Sequence, residues 1–324
     1  MKVLVTGASG FLGRATAAAV RDAGHEVRTF QRRPSGVDGV TDVAGTMTDA
    51  AAVRSAVDGV DAVVHLAAKV SLAGDPRDFA RVNIAGTHAL LDAARSAGVG
   101  RFVFVSSPSV AHTGSSLTGA GAGPAEPMAA RGHYARTKAA AELLALAADE
   151  PGFAVVAVRP HLVWGPGDTQ LVGRIVDRAR SGRLPLLDSG AALIDTLYVD
   201  NAASAMVAAL DHAADDGVHG NAYVVTNGEP RPVADLLAGI CTASGVPAPR
   251  LHVPAGLARV AGSVVEAVWR VRPGQDEPPM TRFLAEQLST AHWFDQRRTR
   301  RDLQWRPAVS IDEGLARLAA AARA

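Results

Sequence analysis

The stretch KVLVTGASGFLGR, residues 2–14, decides the fold because an apolar run leads through a glycine turn into a helical pattern. Gly7, Gly10 and Gly13 stand at every third position of the turn. Glycines permit a tight turn and let a pyrophosphate approach the backbone, and the following helix N-terminus offers free N–H groups and a positive dipole end. The third glycine allows close packing of the helix on the strand. The stretch therefore predicts a strand–turn–helix unit that binds a dinucleotide.

Strand and helix patterns alternate through the first half of the chain. The strands are near-continuous apolar runs, which is typical of strands covered on both faces. Such alternation implies a parallel sheet with right-handed crossovers. We predict strands at 2–7, 26–30, 61–67, 101–107 and 153–160, and helices at 12–24, 51–59, 78–98 and 134–149.

The pattern changes after about residue 165, where irregular, Pro-rich connections join the helices. We therefore predict an α/β fold with a doubly wound parallel sheet in residues 1–165 and a smaller C-terminal lobe in residues 166–324. One strand and helix near 194–213 are expected to return to the core. The Gly/Ala/Pro-rich segment 113–127 is a candidate mobile lid. The lobe is predicted to hold helices near 170–182, 201–213, 232–243, 254–271 and 310–322, with short strands near 194–199 and 221–225.

Composition narrows the function classes. Lys and Arg (33) nearly balance Asp and Glu (32), so no global basic field attracts nucleic acid. The single cysteine, Cys241, excludes an intramolecular disulfide and fits a reducing cytoplasm. We expect no signal peptide and no membrane-spanning segment, since no window approaches ~18 uninterrupted apolar residues. The ten histidines lack ligand spacing, so we predict no metal site.

The end of the second predicted strand bears on cofactor choice. A site for NAD usually places an acid there to hold the ribose hydroxyls. This chain has Gln31, Arg32 and Arg33 instead, and arginine can clamp a 2′-phosphate that an acid would repel. We therefore predict NADPH (NADP⁺) as the cofactor, with a solvated basic loop as the alternative.

The stretch HYARTK, residues 133–138, holds a candidate acid–base pair. On a helix, Tyr134 and Lys138 lie on one face, one turn apart. An ammonium close to a phenol favours the phenolate and is expected to lower its pKa. Such a phenol can protonate a carbonyl oxygen while hydride reaches the carbon. Serines at 106, 107 and 109 follow the fifth strand at the carboxyl edge, where doubly wound sheets bind ligands.

These motifs together resemble those of the extended short-chain dehydrogenase/reductases, a family of Rossmann-type enzymes. They occur in the family's order and approximate spacing and cover about two thirds of the chain. The matching stretches are TGASGFLG (6–13), HLAA (65–68), VNIAGT (82–87), SSPSV (106–110), YARTK (134–138), RPHLVWGPGD (159–168) and YVDNAA (198–203).

The resemblance implies a role for each matching site residue. Tyr134 is the general acid/base, and Lys138 is its pKa-lowering partner and a ribose contact. Ser107 donates to the carbonyl oxygen, with Ser106 as the less favoured register, and Asn83 helps to organise the lysine and a water. The implied cofactor contacts are Gly7, Ala8, Ser9, Gly10, Phe11, Leu12, Gly13, Gln31, Arg32, Arg33, Ala67, Tyr134, Lys138 and Pro160.

Two stretches indicate the branch of the family. Residues 277–290 and the amphipathic stretch 254–271 resemble the 3β-hydroxysteroid dehydrogenase-like branch, whose substrates are bulky and lipidic. Within it, SSPSV, HYARTK and RPHLVWGPGD look most like bacterial 2-alkyl-3-oxoalkanoate reductases of long-chain olefin biosynthesis. Those enzymes reduce a β-keto acid with two alkyl arms, using NADPH. A 3β-hydroxysteroid or sterol dehydrogenase using NAD(P), a sugar-nucleotide epimerase and a non-catalytic dinucleotide-binding regulator stay open as alternatives.

Four weaker features have a structural and a functional interpretation. His161 is more readily a hydrogen-bonded structural histidine than a catalytic group, and His133 is a candidate for the substrate mouth. The arginines of 174–183 are a solvated face or bind a substrate carboxylate. Stretch 254–271 is a core-facing helix, with peripheral membrane or multi-enzyme association as the alternative. The resemblance also implies a homodimer.

Overall fold

The computed structural model describes residues 1–71, 74–112, 115–270 and 282–323. Its strands are β1 (Lys2–Thr6), β2 (Glu26–Gln31), β3 (Thr41–Ala44), β4 (Ala62–His65), β5 (Arg101–Val105), β6 (Leu117–Ala120), β7 (Ala154–Pro160), β8 (Val163–Trp164), β9 (Pro185–Leu187), β10 (Leu193–Ile194), β11 (Leu197–Tyr198), β12 (Asn221–Val225), β13 (Arg231–Pro232), β14 (Leu251–Val253) and β15 (His292–Phe294).

The helices follow the predicted periodicity, with ends that differ by a few residues. A π-helical segment, Ala80–Ala85, interrupts the predicted helix 78–98, and a 3₁₀-helix, Pro108–Ala111, follows β5. The α-helices are α1 (Phe11–Asp22), α2 (Ala50–Val57), α3 (Pro76–Phe79), α4 (Gly86–Ser96), α5 (Gly132–Ala147), α6 (Val172–Arg180), α7 (Val199–His212), α8 (Val233–Ala243), α9 (Ala255–Arg270), α10 (Arg282–Ser289), α11 (Arg297–Asp302) and α12 (Ile311–Arg323).

Seven parallel strands form the central sheet, in the order β12-β7-β5-β4-β1-β2-β3. The chain starts at β1, builds outward through β2 and β3, and then returns to build the other half from β4. The strand order therefore reverses between β1 and β4, which is where doubly wound sheets bind ligands at the carboxyl ends of their strands. This confirms the predicted Rossmann-type fold.

Helices cover both faces of the sheet. On one face, Ala17 and Val20 of α1 and Met206 and Leu210 of α7 are buried with the sheet's valines. On the other, α2, α4 and α5 bury Val53, Leu90, Ala141 and other residues against alternate strand positions. Because both faces are covered, β4 and β7 are buried along their whole length, as their continuous apolar sequence indicates.

The C-terminal part of the chain has a further core of its own. Trp164, Ile175, Tyr198, Leu236 and Leu318 belong to this cluster, which joins α6, α8 and α12. A four-stranded sheet, in the order β13-β10-β15-β6, and the pairs β11-β8 and β14-β9 complete it.

The structure corrects three local predictions. The strand at 221–225, which was assigned to the smaller lobe, is β12 and pairs with β7 in the central sheet. Of the 194–213 segment, α7 packs against α1, whereas β10 and β11 pair outside the central sheet. Part of the predicted loop 113–127 is β6, which pairs with β15. Residues 113–114 of that loop lie outside the described residues. So do residues 271–281, which include the first part of the stretch 277–290.

Neither a membrane-spanning helix nor a cluster of metal ligands occurs among the described residues. No described helix has both the length and the apolar character needed to cross a membrane. In the same part of the chain, no group of three or more His, Cys, Asp or Glu side chains could hold a metal ion.

Candidate functional site

The glycine turn brings three backbone segments into close contact. Gly7 has a φ of +77°, and its N–H donates to the Phe30 carbonyl at 2.9 Å. A Cβ at Gly7 would lie 2.9 Å from the Ala67 backbone, and one at Gly13 would lie 2.2 Å from the Gly7 carbonyl oxygen. Both distances are shorter than real Cβ atoms tolerate, so these positions require glycine. The turn holds β1, β4 and α1 together where the strand order reverses.

The N-terminus of α1 is suited to an anion. Its N-cap, Gly10, has no side chain to bond the first N–H groups, and the first turn contains no acidic residue. The free N–H groups and the dipole would therefore act on a bound phosphate without competition from a local carboxylate. The predicted contacts Ala8, Ser9, Phe11 and Leu12 all lie within this turn or the first turn of α1.

The three residues predicted to select the cofactor lie at the end of β2, and their side chains do not all face the same way. The Gln31 side chain turns inward, and its amide donates to the Thr29 hydroxyl at 2.9 Å and to Asp42 at 3.1 Å. Arg32 and Arg33 are exposed, and neither pairs with a described acidic residue. The two guanidinium groups are thus available at the edge where the adenine half of a dinucleotide lies in this fold.

Sequence reasoning missed a third arginine at this place. Arg14, in the first turn of α1, donates from Nε to the Ser35 carbonyl at 3.1 Å, and its guanidinium lies 3.7 Å from the position of a Cβ on Gly36. It therefore lies against the loop that contains Arg32 and Arg33. Its position directly after Gly13 is a signal that the sequence offered.

Lys138 is held at the end of β5. Its ammonium donates to the Val105 carbonyl at 2.6 Å and lies 3.9 Å from the centre of the Phe104 ring. Burial lowers the pKa of Lys138 to about 7, and the Glu142 carboxylate acts in the opposite direction. The lysine is therefore fixed beside the strand end from which the serines follow.

Tyr134 differs from the expectation in its electrostatics. Burial raises the pKa of Tyr134 to about 12, the opposite of the direction that the Tyr–Lys pair predicts. The physical cause is desolvation, because the phenolate would lose its water. Among the described residues, the half-buried Tyr134 side chain has no hydrogen-bond partner, so its hydroxyl is free for a ligand. At neutral pH it carries its proton.

The two candidate serines are in different surroundings. Ser107 is half-buried, and its hydroxyl oxygen accepts from the Ser109 hydroxyl at 3.0 Å and from the Ser109 N–H at 3.3 Å. The Ser106 hydroxyl is buried without a partner among the described residues. The 3₁₀-helix that begins after Ser107 packs against α5, which carries Tyr134 and Lys138. Of the two hydroxyl-bearing residues, Ser107 is the more exposed.

Asn83 lies on the π-helical segment and bridges two parts of the site. Its side-chain oxygen accepts from Lys69 N–H at 2.7 Å, and its amide donates to the Lys69 carbonyl and to the Thr137 hydroxyl, both at 3.1 Å. Thr137 is the neighbour of Lys138 on α5. The predicted link from Asn83 to the lysine is therefore indirect, through the helix that both side chains share.

A buried histidine that sequence reasoning left unassigned continues this network. His65 bonds the Thr6 hydroxyl at 2.7 Å and the Thr87 hydroxyl at 3.0 Å, and Thr87 donates to the Asn83 carbonyl. Burial, with the charge of Lys138, lowers the pKa of His65 to about 3, so the imidazole is neutral. Its place in HLAA, two residues before the predicted contact Ala67, was the available signal.

The carboxyl end of β7 holds the last predicted contact. Pro160 is buried there, and the next residue, His161, donates from Nδ1 to the Asp195 carbonyl at 2.7 Å. Burial lowers the pKa of His161 to about 4. His161 thus ties the sheet to the C-terminal part of the chain, which is the structural interpretation of this residue.

Comparison with known sequences adds to this geometry. The model of the NAD dependent epimerase/dehydratase family matches residues 3–226. The chain is 42% identical to 2-alkyl-3-oxoalkanoate reductase of Stenotrophomonas maltophilia (strain K279a), with 100% of both chains covered. It is 38% identical to the reductase of the same name from Shewanella oneidensis, over 98% of this chain and 85% of that one. It is 30% identical to a 3-beta-hydroxysteroid dehydrogenase of Mycolicibacterium neoaurum, over 97% and 89%.

Comparison with solved structures agrees with the fold. A short-chain dehydrogenase/reductase superfamily protein from Agrobacterium tumefaciens, solved with bound NAD, aligns with a TM-score of 0.77 at 25% identity. The alignment covers 100% of this chain and 97% of that one.

Proposed function

The chain belongs to the NAD dependent epimerase/dehydratase family of extended short-chain dehydrogenase/reductases, and from this premise we propose that it reduces a ketone to a secondary alcohol with NADPH. Its relatives support an oxidoreductase that acts on a CH–OH or C=O group with a nicotinamide dinucleotide. The observation that carries the proposal is the hydrogen bond from Lys138 to the Val105 carbonyl, because it fixes α5 against the strand that leads to Ser107.

The roles of the chain's own residues follow from their positions. The neutral Tyr134 hydroxyl donates its proton to the substrate carbonyl oxygen, and the Ser107 hydroxyl donates a hydrogen bond to the same oxygen. Lys138 fixes the active face of α5 and supplies positive charge near the phenolate that remains. The nicotinamide, when bound, supplies the hydride. Acid–base catalysis of this kind contributes ~10²–10⁴-fold, and positioning supplies the rest.

NADPH is proposed over NADH from the arginines beside the glycine turn. The pyrophosphate would lie on the turn from Gly7 to Gly13, where a side chain on either glycine would collide with backbone. Arg32 and Arg33, together with Arg14 across the same loop, would bind the 2′-phosphate by charge-assisted hydrogen bonds. The inward-facing Gln31 side chain would not take part.

The proposed substrate is a long-chain 2-alkyl-3-oxoalkanoate, which would be reduced to the 2-alkyl-3-hydroxyalkanoate in olefin biosynthesis. Full-length similarity to two reductases with that activity in their names supports this choice. Oxidation of a 3β-hydroxysteroid is the second candidate, since a steroid dehydrogenase also matches over nearly the whole chain at lower identity. A non-catalytic regulator is disfavoured because Tyr134 and Lys138 are both present.

The test measures turnover of both substrate classes with both cofactors. Purified protein is given a racemic long-chain 2-alkyl-3-keto acid or a 3-ketosteroid, with NADPH or NADH, and also the corresponding 3-hydroxy acid with NADP⁺. We expect the keto acid to be reduced with NADPH and Tyr134→Phe to lower kcat by ~10²–10⁴-fold.

The matched control is Tyr198→Phe, which removes a tyrosine hydroxyl in the C-terminal core and should leave turnover within about twofold. Turnover of the steroid alone would overturn the substrate assignment, and turnover with NADH alone would overturn the cofactor assignment. Full activity in Tyr134→Phe would overturn the catalytic role of the tyrosine.

Two further parts of the proposal concern the setting of the reaction. The single, buried Cys241 agrees with a reducing compartment, so we place the reaction in the cytoplasm. The family resemblance also leads us to propose a homodimer, which light scattering after size exclusion would test. Association with a membrane surface is a separate hypothesis with its own evidence.

A further inference from the structure

Helix α9 presents large apolar side chains to solvent. Leu257, Val260 and Val264 are 62%, 64% and 59% exposed, and Ala261 between them is exposed as well. At 100° per residue these four positions fall within an arc of about 100°, so they form one continuous stripe. We call this stripe the α9 face. From 255 to 265, the exposed positions of the helix include no charged residue.

The opposite side of α9 is built from small residues. Ala255 and Ala258 are buried in a cluster with Leu187 and with Ala285 of α10, and Gly262 is buried as well. A surface helix normally turns its large apolar residues inward and its polar residues outward. Leu257, Val260 and Val264 instead face outward, and the buried cluster between α9 and α10 contains none of them. Burial in the core therefore does not explain these three side chains.

Basic side chains lie at the N-terminal end of the α9 face. Strand β14 leads into α9 and pairs with β9, so that Leu251, itself 56% exposed, lies opposite Pro185. Arg250 precedes Leu251, and Arg183 precedes Pro185 by two residues. Arg250 and Arg183 are exposed, as is Arg180 at the end of α6, and none of the three pairs with a described acidic residue. We call these three arginines the basic flank.

The Asp188 side chain caps the start of α9. The Asp188 carboxylate accepts from the Ala255 N–H at 2.8 Å, at the start of α9, and the Asp188 carbonyl accepts from His252 at 2.9 Å. A capping carboxylate held in this way is directed at the helix N-terminus. Among the described residues, the Asp188 carboxylate forms no ion pair with the basic flank.

We propose that the α9 face and the basic flank together bind the surface of an anionic lipid bilayer. Helices that lie in a membrane interface combine an exposed apolar stripe, which enters the acyl boundary, with arginines or lysines that contact anionic headgroups. A second copy of the chain fits less well, because a stable protein interface uses roughly 20 residues a side and the apolar stripe comprises two turns of one helix. The inference stands on these exposed side chains and does not need the proposed reaction.

The test is co-sedimentation of the full chain with sucrose-loaded vesicles. Vesicles of phosphatidylcholine alone are compared with vesicles that contain a quarter phosphatidylglycerol, at low and at physiological salt. We expect binding to the anionic vesicles that weakens with salt. Leu257→Gln/Val260→Gln/Val264→Gln should weaken it about tenfold or more, and Arg183→Gln/Arg250→Gln should remove most of the preference for anionic lipid.

Matched controls distinguish binding through this surface from nonspecific adsorption of exposed apolar side chains. Val260→Gln should reduce binding, whereas Met128→Gln, at a side chain that is 93% exposed elsewhere, should not. Because the altered side chains are exposed, circular dichroism and thermal melting should remain those of the parent. The proposal is overturned if the parent does not bind anionic vesicles, or if the triple variant binds them as well as the parent. It is also overturned if the triple variant loses self-association in sedimentation velocity while vesicle binding is unchanged.

Discussion

Lys138 carries its amino group into a site with little water, and this makes the stability of the cofactor-free protein depend on pH. Burial lowers its pKa from 10.5 to about 7 in the folded chain. Between these two values the unfolded chain binds a proton that the folded chain does not. Stability from this group therefore rises as pH increases from about 7 to 10.5, and it is constant below that window.

The measurement is urea unfolding of the parent and Lys138→Met at intervals from pH 6 to 10. The difference in free energy of unfolding, parent minus variant, should increase with pH across the window. Lys2→Met, at a surface lysine, serves as the control and should give a curve parallel to that of the parent. A flat difference for Lys138→Met would show that the buried lysine keeps its proton, in agreement with its contacts to Val105 and Phe104.

Gly13 offers a second test at the scale of one residue. In Gly13→Ala the new methyl group would lie 2.2 Å from the Gly7 carbonyl oxygen, so the turn must open. Overpacking of this kind costs ~1–3 kcal/mol. If the strain distorts the phosphate site, this corresponds to an increase of roughly 5–150-fold in the Kd for NADPH. Fluorescence titration measures it. Gly100→Ala, where a Cβ would lie 3.9 Å from its nearest neighbour, should bind as the parent does.

At the scale of elements, one buried ion pair joins the helix that carries Tyr134 to the sheet and to the loop after β6. Arg159 of β7 donates from Nε to Glu142 of α5 at 2.9 Å, and a second guanidinium nitrogen bonds the other carboxylate oxygen. Its remaining nitrogen donates to the Gly123 carbonyl at 2.7 Å. Both side chains are almost fully buried. The pair thus holds α5, β7 and the loop in one arrangement.

Removing one member of this pair should be more harmful than removing both. Arg159→Met leaves the Glu142 carboxylate buried without its partner, and we expect a loss of about 3–5 kcal/mol in the free energy of unfolding. Glu142→Leu/Arg159→Met should lose less than Arg159→Met alone, because no uncompensated charge remains. Urea unfolding of the parent, Arg159→Met, Glu142→Leu and the double variant gives the comparison. Additive losses would mean that the pair acts through packing and not through charge.

The predictability of elements depends on how local their causes are. Strands β1, β5 and β7 were predictable because a strand that is buried on both faces has a continuous apolar sequence. Strand β6 was not, because LTGA is short and contains a glycine, and its partner β15 lies about 175 residues away. The sequence predicts β12 as a strand but not its pairing with β7, because a long connection separates the two strands along the chain.

The candidate site shows the same division. The order of Gly13, Tyr134 and Lys138 in the sequence was enough to predict a nucleotide turn and a Tyr–Lys pair on one helix. The direction of the Lys138 ammonium was not predictable, because it depends on a carbonyl 33 residues earlier in the chain. The raised pKa of Tyr134 was not predictable either, because it results from burial in the folded chain.

At the scale of the whole molecule, cofactor binding should appear as added stability. A ligand that binds only the folded chain adds about 2.7 kcal/mol to the free energy of unfolding at a hundred times its Kd. If the arginines of the β2 loop bind the 2′-phosphate, NADPH binds at least ~10-fold more tightly than NADH, and at equal concentration it stabilises by about 1.4 kcal/mol more. Thermal unfolding with each cofactor gives this difference directly.

The difference between the two cofactors should disappear when the basic side chains beside the turn are removed. Arg14→Ala/Arg32→Ala/Arg33→Ala leaves the three glycines of the turn in place, so NADH should still stabilise this variant while NADPH loses its advantage. Arg297→Ala/Arg301→Ala removes two exposed arginines of α11 and is the matched control, in which the advantage of NADPH should persist. Equal stabilisation of the parent by NADPH and NADH would contradict the cofactor assignment and leave the nucleotide turn standing. NADH binds the same turn but has no 2′-phosphate. The difference in stabilisation by the two cofactors therefore measures the contribution of the arginines, and the stabilisation by NADH measures that of the glycine turn.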